Sequence, residues 1–257
     1  MKRKKLLAVG CSYTDNWWTE KHGFPVWPEL LAEKLDMDCH NFGMCGAGNH
    51  YIFATMHDKI NEEDFDLVVL MWSEFQRMDF QQEIPKHWKK RGTRWVSLHP
   101  QRGNTKQIYP MNLSSKRSLL KYADIHSMTQ LSLRLFYMSQ NLLKDIPYIM
   151  VQGPRCVATP LGLEYNHSKD FHLVVERNCA EIILKNPYTH KIDEDKFLGF
   201  PIMRQIGGGD IDSMLDKADP KRKKFRVGGD KLDTHPNKNG HEFIMERIYD
   251  VYKKNYS

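Results

Sequence analysis

Three residues of this chain have the types needed for covalent nucleophilic chemistry: Ser12, Asp233 and His235. A serine hydroxyl is a weak nucleophile until a neighbouring base takes its proton, and an imidazole serves as that base best when a third group fixes its tautomer. Ser12 stands in "LLAVGCSYTDNWW", where an apolar run breaks at Gly10 and presents Cys11 to Asp15. Asp233 and His235 stand in "GGDKLDTHPNKNGHEF", just before the last amphipathic segment, with Pro236 directly after His235. Taken singly, each has a plainer role. A serine at a strand-to-turn junction caps turns or helices, and an Asp and His pair before a helix caps that helix and bonds its backbone. Among the other titratable groups, His50 and His57 lie two turns apart on one predicted helix, too far to share a metal, and His241 sits inside the last helix, where a packed or solvated imidazole is the default. Cys11 neighbours Ser12, but in this turn the preceding residue is expected to point away from a cleft. Neither a metal nor a cofactor is expected.

The elements that must bring Ser12 and His235 together show as hydrophobic periodicity. "KLLAVG" reads as a buried strand, "WPELLAEKL" as an amphipathic helix with Pro28 in its opening turn, "DCHNFG" as a short strand, Asn49 to Ile60 as a helix and "FDLVVLMW" as another strand. The alternation resumes with the helical spacing of "HSMTQLSLRLFYMSQNLLKD" and the strand "IPYIMVQGP". Residues Leu161 to Lys185 look largely helical, and "NKNGHEFIMERIYDVYKKN" is a final helix with Phe243, Ile244, Ile248 and Val251 inward. Strand and helix in turn predict an α/β fold, three layers with a central parallel sheet. In such a sheet the loops at the carboxyl ends of the strands meet on one edge, so residues from opposite ends of the chain can converge there. Two stretches interrupt the pattern, at about 79–123 and 186–226, and are read as irregular insertions in one domain spanning 1–257.

On these residues the chain resembles the SGNH (GDSL-like) hydrolase family. "GCSYT" is similar to the first block, normally Gly-Asp-Ser, with Cys11 in place of the Asp. "NFGMCGAGN" is similar to the second block, whose glycine amide serves an oxyanion hole and maps to Gly46. "LVVLMWSEFQR" falls where the third block belongs, but Trp72-Ser73 stands where Gly-x-Asn is expected, which leaves Ser73, or Arg77 from the following turn, to replace the missing amide donor. "DTHPNKNGH" resembles the fifth block, with Asp-x-His rather than the commoner Asp-x-x-His, so that Asp230 stands in reserve for the carboxylate role. The resemblance implies a flavodoxin-like three-layer fold and an ester or acyl hydrolase with Ser12, Asp233 and His235 as its triad. It implies Ser12, Gly46 and Ser73 around the oxyanion. An O-acetylated sugar is the substrate it suggests, with Trp17, Trp18 and Trp72 as stacking surfaces. The abundant Lys, Asn and Met also resemble compact members of this type carried by bacteriophages.

Bulk composition narrows the setting. The 257 residues are 40% hydrophobic and 27% charged, and no apolar run approaches the roughly 20 residues that span a bilayer. The basic start "MKRKK" is followed by too short an apolar segment for an export signal, and five scattered cysteines without a Cys-x-x-Cys pair suit a reducing, cytoplasmic setting. A net charge of +6 and the basic, aromatic "KHWKKRGTRW" raise nucleic acid as a partner, but the basic residues are scattered along the chain, and a small-molecule or glycan ester is expected instead. Oligomeric state is not readable. The rival class is a binding or structural protein of the same fold, with lost catalysis and a contact surface around Trp88 to Trp95.

Overall fold

The computed structural model describes residues 3–81, 95–98, 124–157, 168–228 and 233–257. Along the chain these form β1 (Lys4–Gly10), α1 (Trp17–His22), α2 (Trp27–Lys34), β2 (Met37–Gly43), α3 (Asn49–Glu62), β3 (Leu67–Trp72), β4 (Met78–Gln81), β5 (Trp95–Leu98), α4 (Ile125–Leu142), β6 (Tyr148–Gln152), α5 (Ser168–Lys185), β7 (Phe197–Leu198), α6 (Ile211–Ala218) and α7 (Lys238–Tyr256). Continuous aliphatic runs need cover on both faces, and β3 and β6 are buried at every residue.

Five strands form one sheet in the order β2-β1-β3-β6-β7, and every pairing is parallel. From β1 the chain moves to one side to make β2, then crosses back to the other side to make β3. That reversal leaves a crevice at the carboxyl ends of β1 and β3, where the connecting chains diverge. Helices cover both faces: α2 packs on α7, while α3 packs on α4 and α4 on α5. The architecture is therefore a three-layer α/β/α sandwich. Its core includes Trp72, Phe136 and Phe197, with ring centroids 4.6 Å apart for the first pair and 5.4 Å for the second. Each large apolar side chain buried this way contributes roughly 1.5–3 kcal/mol.

Two stretches differ from their expected irregularity. Within 186–226 lie β7, which adds the fifth parallel strand beside β6, and α6, whose first turn is capped by Asp210 accepting from the Ser213 amide at 2.6 Å. In 79–123 the described residues form an antiparallel pair, β4 with β5; residues 82–94 and 99–123, including most of the basic, aromatic stretch, lie outside the described residues. No helix among the described residues is long and apolar enough to cross a membrane.

Candidate active site

The Ser12 turn follows β1 without a spacer. The amides of Thr14 and Asp15 both donate to the Cys11 carbonyl, at 2.9 and 3.1 Å, so the chain reverses within four residues of the strand end. Gly10 is required there, because a Cβ would meet the Thr14 hydroxyl at 2.1 Å. Cys11 is sealed in the core, and Ser12 sits above it with 4% of its surface exposed. The Trp18 indole Nε1–H donates to the Ser12 carbonyl at 2.8 Å, which ties α1 to the turn.

His235 reaches this turn from the far end of the chain. Its Nε2 lies 2.9 Å from Ser12 Oγ, and its Nδ1 lies 2.6 Å from Asp233 Oδ1, which also accepts the His235 backbone amide at 3.0 Å. The His235 hydrogen bond holds the Asp233 carboxyl below its ordinary range, more than offsetting its partial burial. An ionised Asp233 accepts from Nδ1–H, which leaves Nε2 as the acceptor for the serine hydroxyl. The imidazole is bracketed by Trp18, 4.9 Å away between ring centroids, and by Tyr13 at 5.4 Å. Its side chain keeps 28% of its surface exposed, so solvent reaches the base. Asp230 lies outside the described residues.

The loop after β2 is pressed against the same turn. A Cβ on Gly43 would sit 2.4 Å from the backbone of Thr14 and Asp15, so only glycine permits this approach. The Met44 amide donates to the Gly10 carbonyl at 3.0 Å and the Cys45 amide to Asp15 Oδ2 at 2.7 Å. Gly46 then takes a left-handed conformation, φ 85°.

Arg77 and Asp79 hold the rest of this loop from below. Arg77 Nη1 donates to the Ala47 carbonyl at 2.9 Å and its Nε to Glu74 at 2.8 Å. Burial would pull the Arg77 guanidinium down, but the Glu74 carboxylate reverses this and holds it above its usual range. Asp79 accepts the Gly48 amide at 2.8 Å and the Tyr51 amide at 2.9 Å, satisfying the first turn of α3.

Ser73 leaves β3 fully buried. Its amide donates to Asn49 Oδ1 at 2.7 Å, its carbonyl accepts from Gln152 Nε2 at 2.9 Å, and its hydroxyl has no partner among the described residues. Motif spacing does not reveal Asn49, Asp79 or the internal role of Arg77. The one signal for the last is a Glu and an Arg three apart directly after a fully apolar strand.

Of the three tryptophans expected at the cleft, Trp72 is a correction: it points into the core against Phe136 and offers no surface, because the strand end it occupies is covered on both faces. Trp18 is nearly buried between His235 and His22, and Trp17 remains 41% exposed beside it, with Lys21 Nζ 4.3 Å from its ring centroid. His241 is packed: its Nδ1 accepts the Trp27 amide at 3.3 Å, and burial, with His235 nearby, pushes its pKa down to about 3. Among the described residues no group of three or more His, Cys, Asp or Glu side chains is placed to hold a metal ion.

No family model and no curated protein matches the chain. Solved structures do resemble it. A member of the lipolytic G-D-S-L family from Veillonella parvula is 13% identical over 98% of this chain and 99% of that one, with a TM-score of 0.48. An acetylxylan esterase from Geobacillus stearothermophilus is 13% identical over 96% of this chain and 93% of that one, with a TM-score of 0.48. An α/β hydrolase enzyme from the metagenome of Lake Arreo, Spain, is 13% identical over 99% of this chain and 97% of that one, with a TM-score of 0.49. At such identity and overlap these likenesses add no weight to the chemistry, which rests on the geometry of Ser12, His235 and Asp233.

Proposed function

We propose that this chain is a serine-dependent ester hydrolase of the SGNH (GDSL-like) kind, acting through an acyl-enzyme on an acyl ester such as an O-acetylated carbohydrate. The observation that carries this reading is the continuous hydrogen-bonded line from Ser12 Oγ through His235 to Asp233, with links of 2.9 and 2.6 Å. His235 Nε2 takes the Ser12 proton as Oγ bonds to the ester carbonyl, and Asp233 holds the imidazolium that results. The negative charge on the former carbonyl oxygen faces the amides of Ser12 and Gly46, while Ser73, sealed in the interior, acts only through its backbone bond to Asn49. Collapse of this intermediate breaks the ester C–O bond, and the alcohol leaves with the proton from His235. Water then attacks the acyl-serine while His235 accepts its proton, and the carboxylic acid departs as Ser12 is protonated again. The exposed face of Trp17, one ring out from Trp18, supports a sugar on the outer side of the site.

The test is labelling by a fluorophosphonate together with turnover of p-nitrophenyl acetate. Wild type is expected to react at one serine and to turn over the ester; Ser12→Ala is expected to do neither. Equal behaviour of the two proteins refutes the assignment and favours the binding-protein reading.

A further inference from the structure

A polar cluster lies behind the triad that the reaction above does not use. Tyr13 directly follows Ser12 in the chain, and Thr234 lies between Asp233 and His235. The Tyr13 hydroxyl lies 2.7 Å from Asp212 Oδ1 and 3.1 Å from the Thr234 carbonyl. Arg226 Nη1 donates to Asp212 Oδ1 at 2.7 Å and also to the Thr234 carbonyl, while Nη2 reaches the Asp212 carbonyl at 3.1 Å and Asp216 Oδ1 at 3.0 Å. Asp216 is gripped in turn by Arg222, with bonds of 3.0 and 2.5 Å, and by Arg155 at 3.2 Å. The segment of Arg226 also pairs with the triad loop, the Val227 amide donating to the His235 carbonyl at 2.9 Å.

We propose that Tyr13, Asp212 and Arg226 form a buried latch that sets the separation of Ser12 Oγ and His235 Nε2 by joining the residue after the nucleophile to the residue before the base. This rests on the hydrolase reading above. Trp18 joins the two halves on the side of α1, bonding the Ser12 carbonyl and packing on the imidazole; on the opposite side the Tyr13 ring stands against His235, and its hydroxyl ends on the peptide that carries His235 into place. Fixing the Thr234 carbonyl fixes the plane of the Thr234–His235 peptide, hence the Cα from which the imidazole extends. The composition fits this purpose better than stability. A buried arginine and carboxylates gain little over apolar packing, because desolvation offsets their attraction, whereas their directed bonds define one geometry. Burial raises the Tyr13 phenol well above its ordinary range, with Asp212 adding to the rise, so it stays a donor. The three are positioning residues, because none touches the reacting atoms.

The test compares Tyr13→Phe and Asp212→Asn with wild type, changes that keep shape and leave the Tyr13 ring or the Asp212 site filled. The first readout is the low-field proton resonance of His235 Nδ1–H, identified by its loss in His235→Ala. It is expected to be sharp in wild type and broadened by exchange in both variants, at a little-changed melting temperature in Tyr13→Phe and a lowered one in Asp212→Asn, which takes a carboxylate from the buried Arg226. The second is turnover: a reacting group displaced by about 1 Å loses up to ~10²-fold in rate, so Tyr13→Phe is expected to lower kcat about tenfold with KM unchanged. In a His235→Ala background it is expected to add no further loss. An unchanged resonance in both variants overturns the latch whatever the rates do, as does a wild-type protein that lacks the resonance. A wild type with the resonance but without Ser12 labelling or turnover refutes the hydrolase reading alone, and the resonance still decides the latch.

Discussion

The loop carrying Asp233 and His235 and the exit of β3 reach the same edge of the sheet with opposite characters. In the first, the polar groups bond in a line from Ser12 through His235 to Asp233, and His235 remains open to solvent. In the second, Ser73, Glu74, Arg77 and Asp79 are all buried, and the bonds of Ser73, Arg77 and Asp79 run inward to Asn49, Ala47, Gly48 and Tyr51. The contrast teaches that position on the functional edge does not by itself give a residue a chemical role. A polar side chain in a dry environment satisfies its bonds locally, and here those bonds shape the Gly46–Gly48 loop that faces the Ser12 turn. The β3 exit thus acts on the site through backbone, the triad loop through side chains.

Three substitutions sharpen this contrast. The largest effect is expected from Asp233→Asn, which leaves the imidazole without its ionised partner: kcat for p-nitrophenyl acetate falls roughly 10³-fold or more, with little change in melting temperature. A loss of less than tenfold would put the triad loop on the structural side. Next is Arg77→Met, which takes the guanidinium away from the buried Glu74 carboxylate and is expected to cost about 3–5 kcal/mol in urea unfolding; adding Glu74→Gln should recover most of that. If Arg77→Met leaves stability unchanged but abolishes turnover, Arg77 belongs to the chemistry and the contrast collapses. The smallest effect is expected from Ser73→Ala, little change in kcat or KM, because its hydroxyl is sealed in the interior and its bonds are made by the backbone. A loss of 10²–10³, the range of a full oxyanion donor, would move the β3 exit to the chemical side.

How much was legible varied with the length of the signal. β1, β3 and β6 stand out because strands covered on both faces are apolar without interruption, and α4 and α7 because long helices repeat their inner face several times. β7 has two residues and α6 eight, too few for a period to emerge among the turns of 186–226. Trp72 shows the limit of reading a side chain's direction from its neighbours. Next to the edge that carries Ser12 it looks like a binding surface, but as the last residue of a central strand it faces Phe136. Tyr13 and Asp212 lie 199 residues apart, and no local pattern marks either as the other's partner.

By itself the sequence determined the order of the long strands and helices, the tight turn that lifts Ser12 off β1, and the residue types available to attack, to accept a proton and to steady the base. These are local properties, fixed by side-chain period and by the steric demands of glycine and the turn. Only the tertiary structure decided that the head and tail of the chain meet within hydrogen-bond distance. It also decided that Ser73 and Arg77 are buried while His235 is open to solvent, and that Arg226 stands beneath the triad. Those outcomes depend on which surfaces the packed sheet and helices leave accessible to water, a property of the whole fold that no short stretch of sequence encodes.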